Sequence, residues 1–195
     1  DVNFINRGWI NRNNILVQGR GQLLTMELTG ASQNKMINEI QVSGRNDKLL
    51  KSIRLNYSKA SYFSEVFPLI EDIFNQQERN LARFLDYQLR QVCNYLALYP
   101  AWHISSAIEK NKDLRGQNKI IEICEKLGAK HYINLPGGRD LYDSKLFDSK
   151  GIKLDFVQPQ FEAYSQFRGD FVSQLSIIDV MMFNSPQVIR EKMLN

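Results

Sequence analysis

The strongest constraint on the fold lies between residues 118 and 157, where helical and strand patterns alternate. Apolar residues between 120 and 127 share one helical face, and Gly128 follows as a helix stop. Short apolar strands are predicted at 131–135 and 152–157, on either side of a short helix that Asp143 caps. Strands that alternate with helices form βα units on a parallel sheet. The pattern predicts an α/β fold with a Rossmann-like, partly parallel sheet and flanking helices.

The first half of the chain has a different organisation. Apolar and polar residues alternate over 24–28 and 39–42, which is the period of half-buried strands, and antiparallel pairing is expected there. The stretch 47–56 has mixed spacing and fits either a strand or a helix. Apolar residues over 63–74 follow the helical period, and a second helix is predicted to begin after Asn80. The chain therefore combines a β-rich N-terminal part with a central helical segment.

Composition excludes several classes of protein. Hydrophobic residues make up 43% of the chain, which excludes a disordered protein, and no apolar run has the length of a membrane span. Cys93 and Cys124 lack metal-ligand spacing, so we expect a reduced, cytoplasmic protein without a metal or cofactor. The net charge of +4 favours anionic small molecules, but basic residues are too dispersed among acidic ones to indicate nucleic-acid binding.

The segment 7–13 is the first candidate for ligand binding. Arg7 and Arg12 carry planar guanidinium groups suited to phosphate or carboxylate, Trp9 offers a stacking face, and Asn11 is a neutral hydrogen-bonding group. The alternative is a solvated loop anchored by a buried tryptophan.

The segment 51–63 has the densest mixture of polar and aromatic residues. Its cations suit phosphates and its neutral donors suit sugar hydroxyls. The candidate binding residues are Lys51, Arg54, Asn56, Tyr57, Lys59 and Tyr62. The alternative is a strand-to-helix turn whose lysines lie along the surface with their charged ends in solvent.

The third candidate, Gly137, Gly138 and Arg139, follows a predicted strand. Loops after the carboxyl ends of strands build the ligand crevice of α/β sheets, and glycines there allow backbone N–H groups to approach an anion. Arg139 would bind the same anion, although a Gly-Gly pair after a strand also suits a simple turn. We expect Lys51, Tyr57 and Arg139 to line one shared cleft.

Two residues are candidate proton acceptors. His103 lies in a helix-start region and would act as a general base, the alternative being a structural histidine. Asp179 lies three residues after Ser176, the spacing of a capping box, so helix capping is the alternative to a catalytic role.

Together these segments resemble the WbqC-like family of bacterial proteins. In chain order, the resemblance is carried by Arg7-Gly-Trp-Ile-Asn-Arg-Asn13, Lys51-Ser-Ile-Arg-Leu-Asn-Tyr-Ser-Lys-Ala-Ser-Tyr-Phe63, Leu127-Gly-Ala-Lys-His-Tyr-Ile-Asn-Leu-Pro-Gly-Gly138, Leu141-Tyr142, Gly151-Ile-Lys-Leu154 and Leu175-Ser-Ile-Ile-Asp179. It implies a single WbqC-like domain over residues 1–195 that lacks the N-terminal segment of the family. It also adds Asn134 and Tyr142 to the candidate binding residues.

The resemblance implies a role in bacterial surface polysaccharide (O-antigen) biosynthesis. The activity suggested for the family is transfer of an aminoacyl (glycyl) group to an amino sugar, so the expected partner is a nucleotide- or phosphate-linked sugar. A non-catalytic binding or scaffolding protein of the same pathway is the alternative. In that case the helices of residues 60–98 would present an apolar face to a partner or to a second copy in a homodimer.

Overall fold

The computed structural model describes residues 1–158 and 162–193. The chain divides into two compact units. The first contains Asp1–Pro100 and Phe161–Asn195, and the second contains Ala101–Gln160. Within the described residues, the helices are too short or too polar to cross a membrane.

The first unit begins with two small antiparallel sheets. Strands β1 (Arg12–Val17) and β2 (Arg20–Thr25) form a hairpin. Both residues of its turn have a positive φ, 50° at Gln18 and 75° at Gly19, which matches the twist of the paired strands. Strands β3 (Leu28–Thr29) and β4 (Gln41–Val42) form the second pair. The alternating stretch 24–28 is thus divided between two strands.

Three helices follow in the first unit. The ambiguous stretch folds as helix α1 (Asp47–Tyr57), because its buried residues recur every three or four positions and pack on the core. Helix α2 (Phe63–Asn75) passes through Pro68, which removes one backbone donor. Helix α3 (Leu81–Tyr95) begins after Asn80, as predicted, and the Asn80 side chain accepts a hydrogen bond from the Arg83 N–H.

The second unit contains the predicted βα arrangement. Helix α4 (Gly116–Lys126) and helix α5 (Ser144–Ser149) accompany the parallel strands β5 (His131–Asn134) and β6 (Lys153–Phe156). Residues buried from both helices meet Ile152 in a small core, which consists of Ile121, Cys124, Phe147 and Ile152. The α/β fold with a partly parallel sheet, flanking helices, a β-rich N-terminal part and a central helical segment is confirmed.

The chain then returns to the first unit. Helix α6 (Ile177–Phe183) is capped by Ser176, and helix α7 (Pro186–Val188) is capped by Ser185 and continues into a π-helical turn, Ile189–Met193. Short 3-10 helices occur at Ile37–Glu39, Ser105–Ala107 and Pro136–Leu141. Met181 and Met182 of α6 complete the main core with residues of β1 and α1–α3. Each such side chain contributes about 1.5–3 kcal/mol by its burial.

Candidate functional site

A cavity of about 250 Å³ opens in the first unit, where the β1–β2 hairpin meets the helices. Its floor is apolar and includes Met26 of the chain after β2, Leu49 of α1 and Phe74 of α2. The first residues of α6, Ile177 and Ile178, form another wall. Hydrogen-bonding groups are contributed by Asn11, Arg12, Asn13, Gln88 and Ser176. An apolar pocket with a few polar groups is the usual form of a small-molecule site.

Arg12 and Trp9 form one edge of this cavity. The Arg12 guanidinium carbon lies 5.9 Å from the centre of the Trp9 ring, and Arg12 Nε donates to the Gly8 carbonyl at 2.8 Å. Trp9 is 65% exposed, so the tryptophan is not the buried anchor of the alternative interpretation. Within the described part of the chain, Arg12 makes no ion pair. Its terminal N–H groups are therefore available to an anion.

The other two candidates of the first segment differ in their contacts. Asn11 is held by Met26 through two hydrogen bonds: its Nδ2 donates to the Met26 carbonyl at 2.8 Å, and its carbonyl accepts from the Met26 N–H at 2.7 Å. Arg7 is exposed and adopts a φ of 60°. Asn11 thus extends the hairpin and shapes the cavity. Arg7 is an exposed cation four residues before it.

Lys51 and Arg54 of the second segment lie on the exposed side of α1, and Lys59 follows its end. Lys51 and Lys59 are exposed. Arg54 donates to Glu71 Oε1 at 2.8 Å, and its guanidinium carbon lies 4.5 Å from the centre of the Phe67 ring, so it ties α1 to α2. An anionic ligand would compete with Glu71 for this guanidinium.

Asn56 and Tyr62, two neutral residues of that segment, each make a hydrogen bond to another residue of the protein. Asn56 Nδ2 donates to the Ser52 carbonyl within α1 at 2.8 Å. Tyr62 is half-buried, and its backbone N–H donates to the Met182 carbonyl at 3.0 Å. The sugar-orienting role predicted for these two residues stays a prediction.

Tyr57 and Asp179, distant in sequence, are hydrogen-bonded in the core. The Tyr57 hydroxyl donates to Asp179 Oδ2 at 2.8 Å and accepts from the Leu16 N–H at 2.7 Å. Tyr164 Oη and Gln166 Nε2 donate to Asp179 Oδ1 at 2.6 and 2.8 Å. Burial, and then the Asp179 carboxylate, raise the pKa of both phenols far above the usual value. Asp179 has no exposed surface, so this carboxylate organises the core.

The helix-capping interpretation of Asp179 holds only in part. Ser176 does cap α6, because its Oγ accepts from the Ile178 N–H at 3.3 Å. The reciprocal bond of a capping box is absent, since the Ser176 N–H donates to the Asn14 carbonyl at 2.7 Å. The Asp179 side chain is therefore available to the two tyrosines and Gln166.

In the second unit, the predicted residues gather at the carboxyl ends of β5 and β6. Asn134 and Phe156 are register partners there, and the Arg139 guanidinium carbon lies 5.3 Å from the centre of the Phe156 ring. A Cβ added to Gly138 would lie 2.8 Å from Asn134 Nδ2 and 3.2 Å from Tyr142 Cε2, so a larger residue here would require the Asn134 side chain to shift.

Gly137 and His103, the remaining candidates of this unit, are less closely surrounded by other residues. A Cβ on Gly137 would meet no atom within 4 Å, and His103 is exposed. Pro136–Leu141 forms a 3-10 helix rather than a loop, and the Gly138 N–H donates to the Leu135 carbonyl at 3.0 Å. This backbone donor is therefore used within the turn.

Comparison with known proteins agrees with the resemblance noted in the sequence. The sequence model of the WbqC-like protein family matches residues 1–191. The chain belongs to this family. No curated protein and no solved structure is significantly similar to it.

The predicted site residues of this WbqC-like protein fall into three groups. Trp9, Asn11 and Arg12 share the cavity, Tyr57 and Asp179 share a buried network, and a third group meets at the strand ends. The third group comprises Asn134, Gly138, Arg139 and Tyr142. The shared cleft joins residues of separate units and stays a prediction.

Sequence reasoning missed Tyr164 and Gln166. Both lie in an irregular segment without hydrophobic periodicity, and nothing local marks them as partners of Asp179. Gln166 also makes two hydrogen bonds to the backbone of Val172, at 2.9 and 3.1 Å, which fold the segment back on itself.

Proposed function

We propose that this WbqC-like protein is a cytoplasmic transferase of bacterial surface polysaccharide (O-antigen) biosynthesis. Its substrate is a nucleotide-linked amino sugar, and its reaction is the transfer of an aminoacyl (glycyl) group to the sugar amine. The family resemblance supports the pathway. The observation that carries the choice of a small anionic substrate is the cavity edged by Arg12 and Trp9.

The chemistry of the cavity fits one part of such a ligand. Ligand pockets usually measure about 300–1,000 Å³. A cavity of about 250 Å³ is slightly smaller than this range, which suits a single sugar or base. The apolar floor would receive that ring, Trp9 would stack on an exposed face, and the phosphates would lie at the edge beside Arg12. Lys51, which is exposed, is proposed as a further phosphate ligand. Arg139 is proposed to bind an anion at the strand ends of the second unit.

The transfer itself requires a proton acceptor. The sugar amine attacks the acyl carbonyl of an activated aminoacyl donor, a C–N bond forms, the leaving group departs, and the amine loses a proton. The described residues that line the cavity include no histidine and no carboxylate, so this proton passes to bulk water. The buried Asp179 has no access to a substrate and is not given this role.

Calorimetric titration with a panel of nucleotide amino sugars tests the proposal, using Arg12→Ala and a matched control. Arg20→Ala removes the same side chain from the same hairpin, but Arg20 pairs with Val17 at the turn while Arg12 pairs with Thr25 at the open end. Loss of a charged hydrogen bond of about 1.5–3 kcal/mol weakens binding about 10- to 100-fold in Arg12→Ala. Arg20→Ala should bind as the wild type does. Equal affinities of all three proteins, or no binding by any, would overturn the proposal.

The exposed apolar residues of the helices support the alternative of a binding or scaffolding protein. Leu55 of α1 is 78% exposed and Leu89 of α3 is 52% exposed. Such side chains suit a partner surface or a homodimer interface. Size-exclusion chromatography with light scattering measures the mass in solution. A dimer that Leu55→Lys or Leu89→Lys dissociates, together with no binding of nucleotide sugars, would favour this alternative.

A further inference from the structure

Asp179 connects three elements that build the cavity. Tyr57, which donates to its Oδ2 at 2.8 Å, belongs to α1, and the same helix contributes Leu49 to the floor. The Tyr57 hydroxyl also accepts a hydrogen bond from the N–H of Leu16 in β1. Leu16 directly follows Ile15, which lines the cavity. Asp179 itself lies in the first turn of α6, beside the cavity residues Ile177 and Ile178. One buried carboxylate therefore links three walls of the cavity.

The link to β1 and α6 is reinforced by backbone hydrogen bonds. The Asp179 N–H donates to the Ser176 carbonyl at 2.9 Å, and the Ser176 N–H donates to the Asn14 carbonyl of β1 at 2.7 Å. Ser176 lines the cavity, and Asn14 lies between the two lining residues Asn13 and Ile15. A shift of Asp179 would thus move the cavity wall from two directions, through α6 and through β1.

We propose that Asp179 is a positioning residue for ligand binding: its carboxylate fixes β1, α1 and α6 at the spacing that the cavity requires. This inference rests on the proposed function for its ligand, but its structural part can be measured without one. The carboxylate never touches the ligand. It acts through Tyr57 on β1 and through its own helix on the opposite wall.

A carboxylate is required because three donors converge on it. Its two oxygens accept from Tyr57, Tyr164 and Gln166, and it offers no hydrogen of its own. An asparagine would keep one acceptor oxygen and turn an NH₂ group toward a tyrosine or toward Gln166. If the NH₂ faces Tyr57, that hydroxyl still receives the Leu16 N–H but loses the acceptor of its own proton. The contact that holds β1 would then weaken.

Amide hydrogen exchange of the free protein provides the first test. In Asp179→Asn, we expect the amides of Leu16 and Ile178 to exchange about tenfold faster than in the wild type, because a charged hydrogen bond is lost. The amide of Ile70, in the middle of α2, should change much less. Asp86→Asn is the matched control, since Asp86 pairs with Arg90 at 2.9 Å within α3 and does not line the cavity. Equal acceleration at all three amides would overturn the proposal.

Ligand affinity in a double-mutant cycle provides the second test, with uridine diphosphate glucosamine as the probe. Asp179→Asn and Tyr57→Phe should each weaken binding about tenfold, and their combination should add less than a further twofold, because both remove one link. Independent, multiplying losses would overturn the positioning role, provided that denaturation curves show all variants folded. If the wild type binds no nucleotide sugar while exchange at Leu16 and Ile178 rises selectively, the proposed function fails and the structural link stands.

Discussion

The hydroxyl of Tyr57 should contribute more to stability than any other tyrosine hydroxyl in the first unit. Tyr57→Phe leaves the ring in place, where its centre lies 6.1 Å from that of Phe183, so the substitution removes one oxygen without creating a large cavity. Any loss of stability then reports on the hydrogen bonds alone. Two such bonds end at this oxygen, one to Asp179 and one from Leu16.

The expected loss follows from these two bonds. The bond from Tyr57 to the Asp179 carboxylate is charge-assisted and is worth about 1.5–3 kcal/mol. The Leu16 N–H becomes a buried donor without a partner, which costs about 1–3 kcal/mol. Because the contributions overlap and the structure relaxes, we expect the free energy of unfolding to fall by about 3 kcal/mol. Chemical denaturation with urea, followed by circular dichroism, measures this change.

Tyr95→Phe is the matched control. The Tyr95 hydroxyl is buried and has no hydrogen-bond partner among residues 1–158 and 162–193, and burial raises the pKa of this phenol. Removing an unpartnered buried hydroxyl should leave stability unchanged or raise it by up to about 1 kcal/mol. The reasoning is refuted if Tyr57→Phe costs less than about 1 kcal/mol or no more than Tyr95→Phe does.

Two further predictions concern the second unit and the alkaline limit of stability. Gly138→Ala should lower the free energy of unfolding by about 1 kcal/mol, because its Cβ would displace the Asn134 side chain, whereas Gly137→Ala meets no atom within 4 Å and should be neutral in the same urea titration. The pKa values of Tyr57 and Tyr164 are raised in the folded state, so their contribution is complete below the unfolded value of about 10 and is lost as the pH rises above it. Thermal unfolding between pH 8 and 11.5 should show this decline. Tyr164→Phe should reduce its slope, and an unchanged slope would contradict the assignment.

Local signals were sufficient to predict the second unit. Gly128 ends α4 with a φ of 65°, and the Asp143 side chain caps α5 by accepting from the Lys145 N–H at 3.0 Å. These are interactions within a few residues, so the sequence specifies them directly. The parallel pairing of β5 and β6 then follows from the helix between them. The stretch 47–56 lacked such a signal, and its helical state was decided by packing.

Partners distant in the chain explain why the roles of some individual residues could not be predicted from the sequence. The spacing of Ser176 and Asp179 indicates a capping box, but Asn14, distant in the chain, takes the Ser176 N–H and frees the carboxylate. The composition of residues 51–63 indicates a ligand surface, yet Tyr57 points into the core while Lys51 lies outside. Composition identifies the groups that a segment carries, and only the register of the folded helix decides which of them face solvent.

Residues that bind the ligand differ in their hydrogen bonds from residues that keep the cavity in shape. Arg12 keeps terminal donors without a carboxylate partner among the described residues, whereas both carboxylate oxygens of Asp179 accept hydrogen bonds from Tyr57, Tyr164 and Gln166. A buried group whose hydrogen bonds are all satisfied by the protein gains nothing from a ligand, and its loss alters binding only through geometry. Arg12 should therefore change affinity by direct contact, whereas Asp179 should change it through Tyr57, so that the effects of substituting these two residues do not multiply. Non-additivity with Tyr57, more than the size of the loss in affinity, distinguishes a residue that positions the site from one that contacts the ligand.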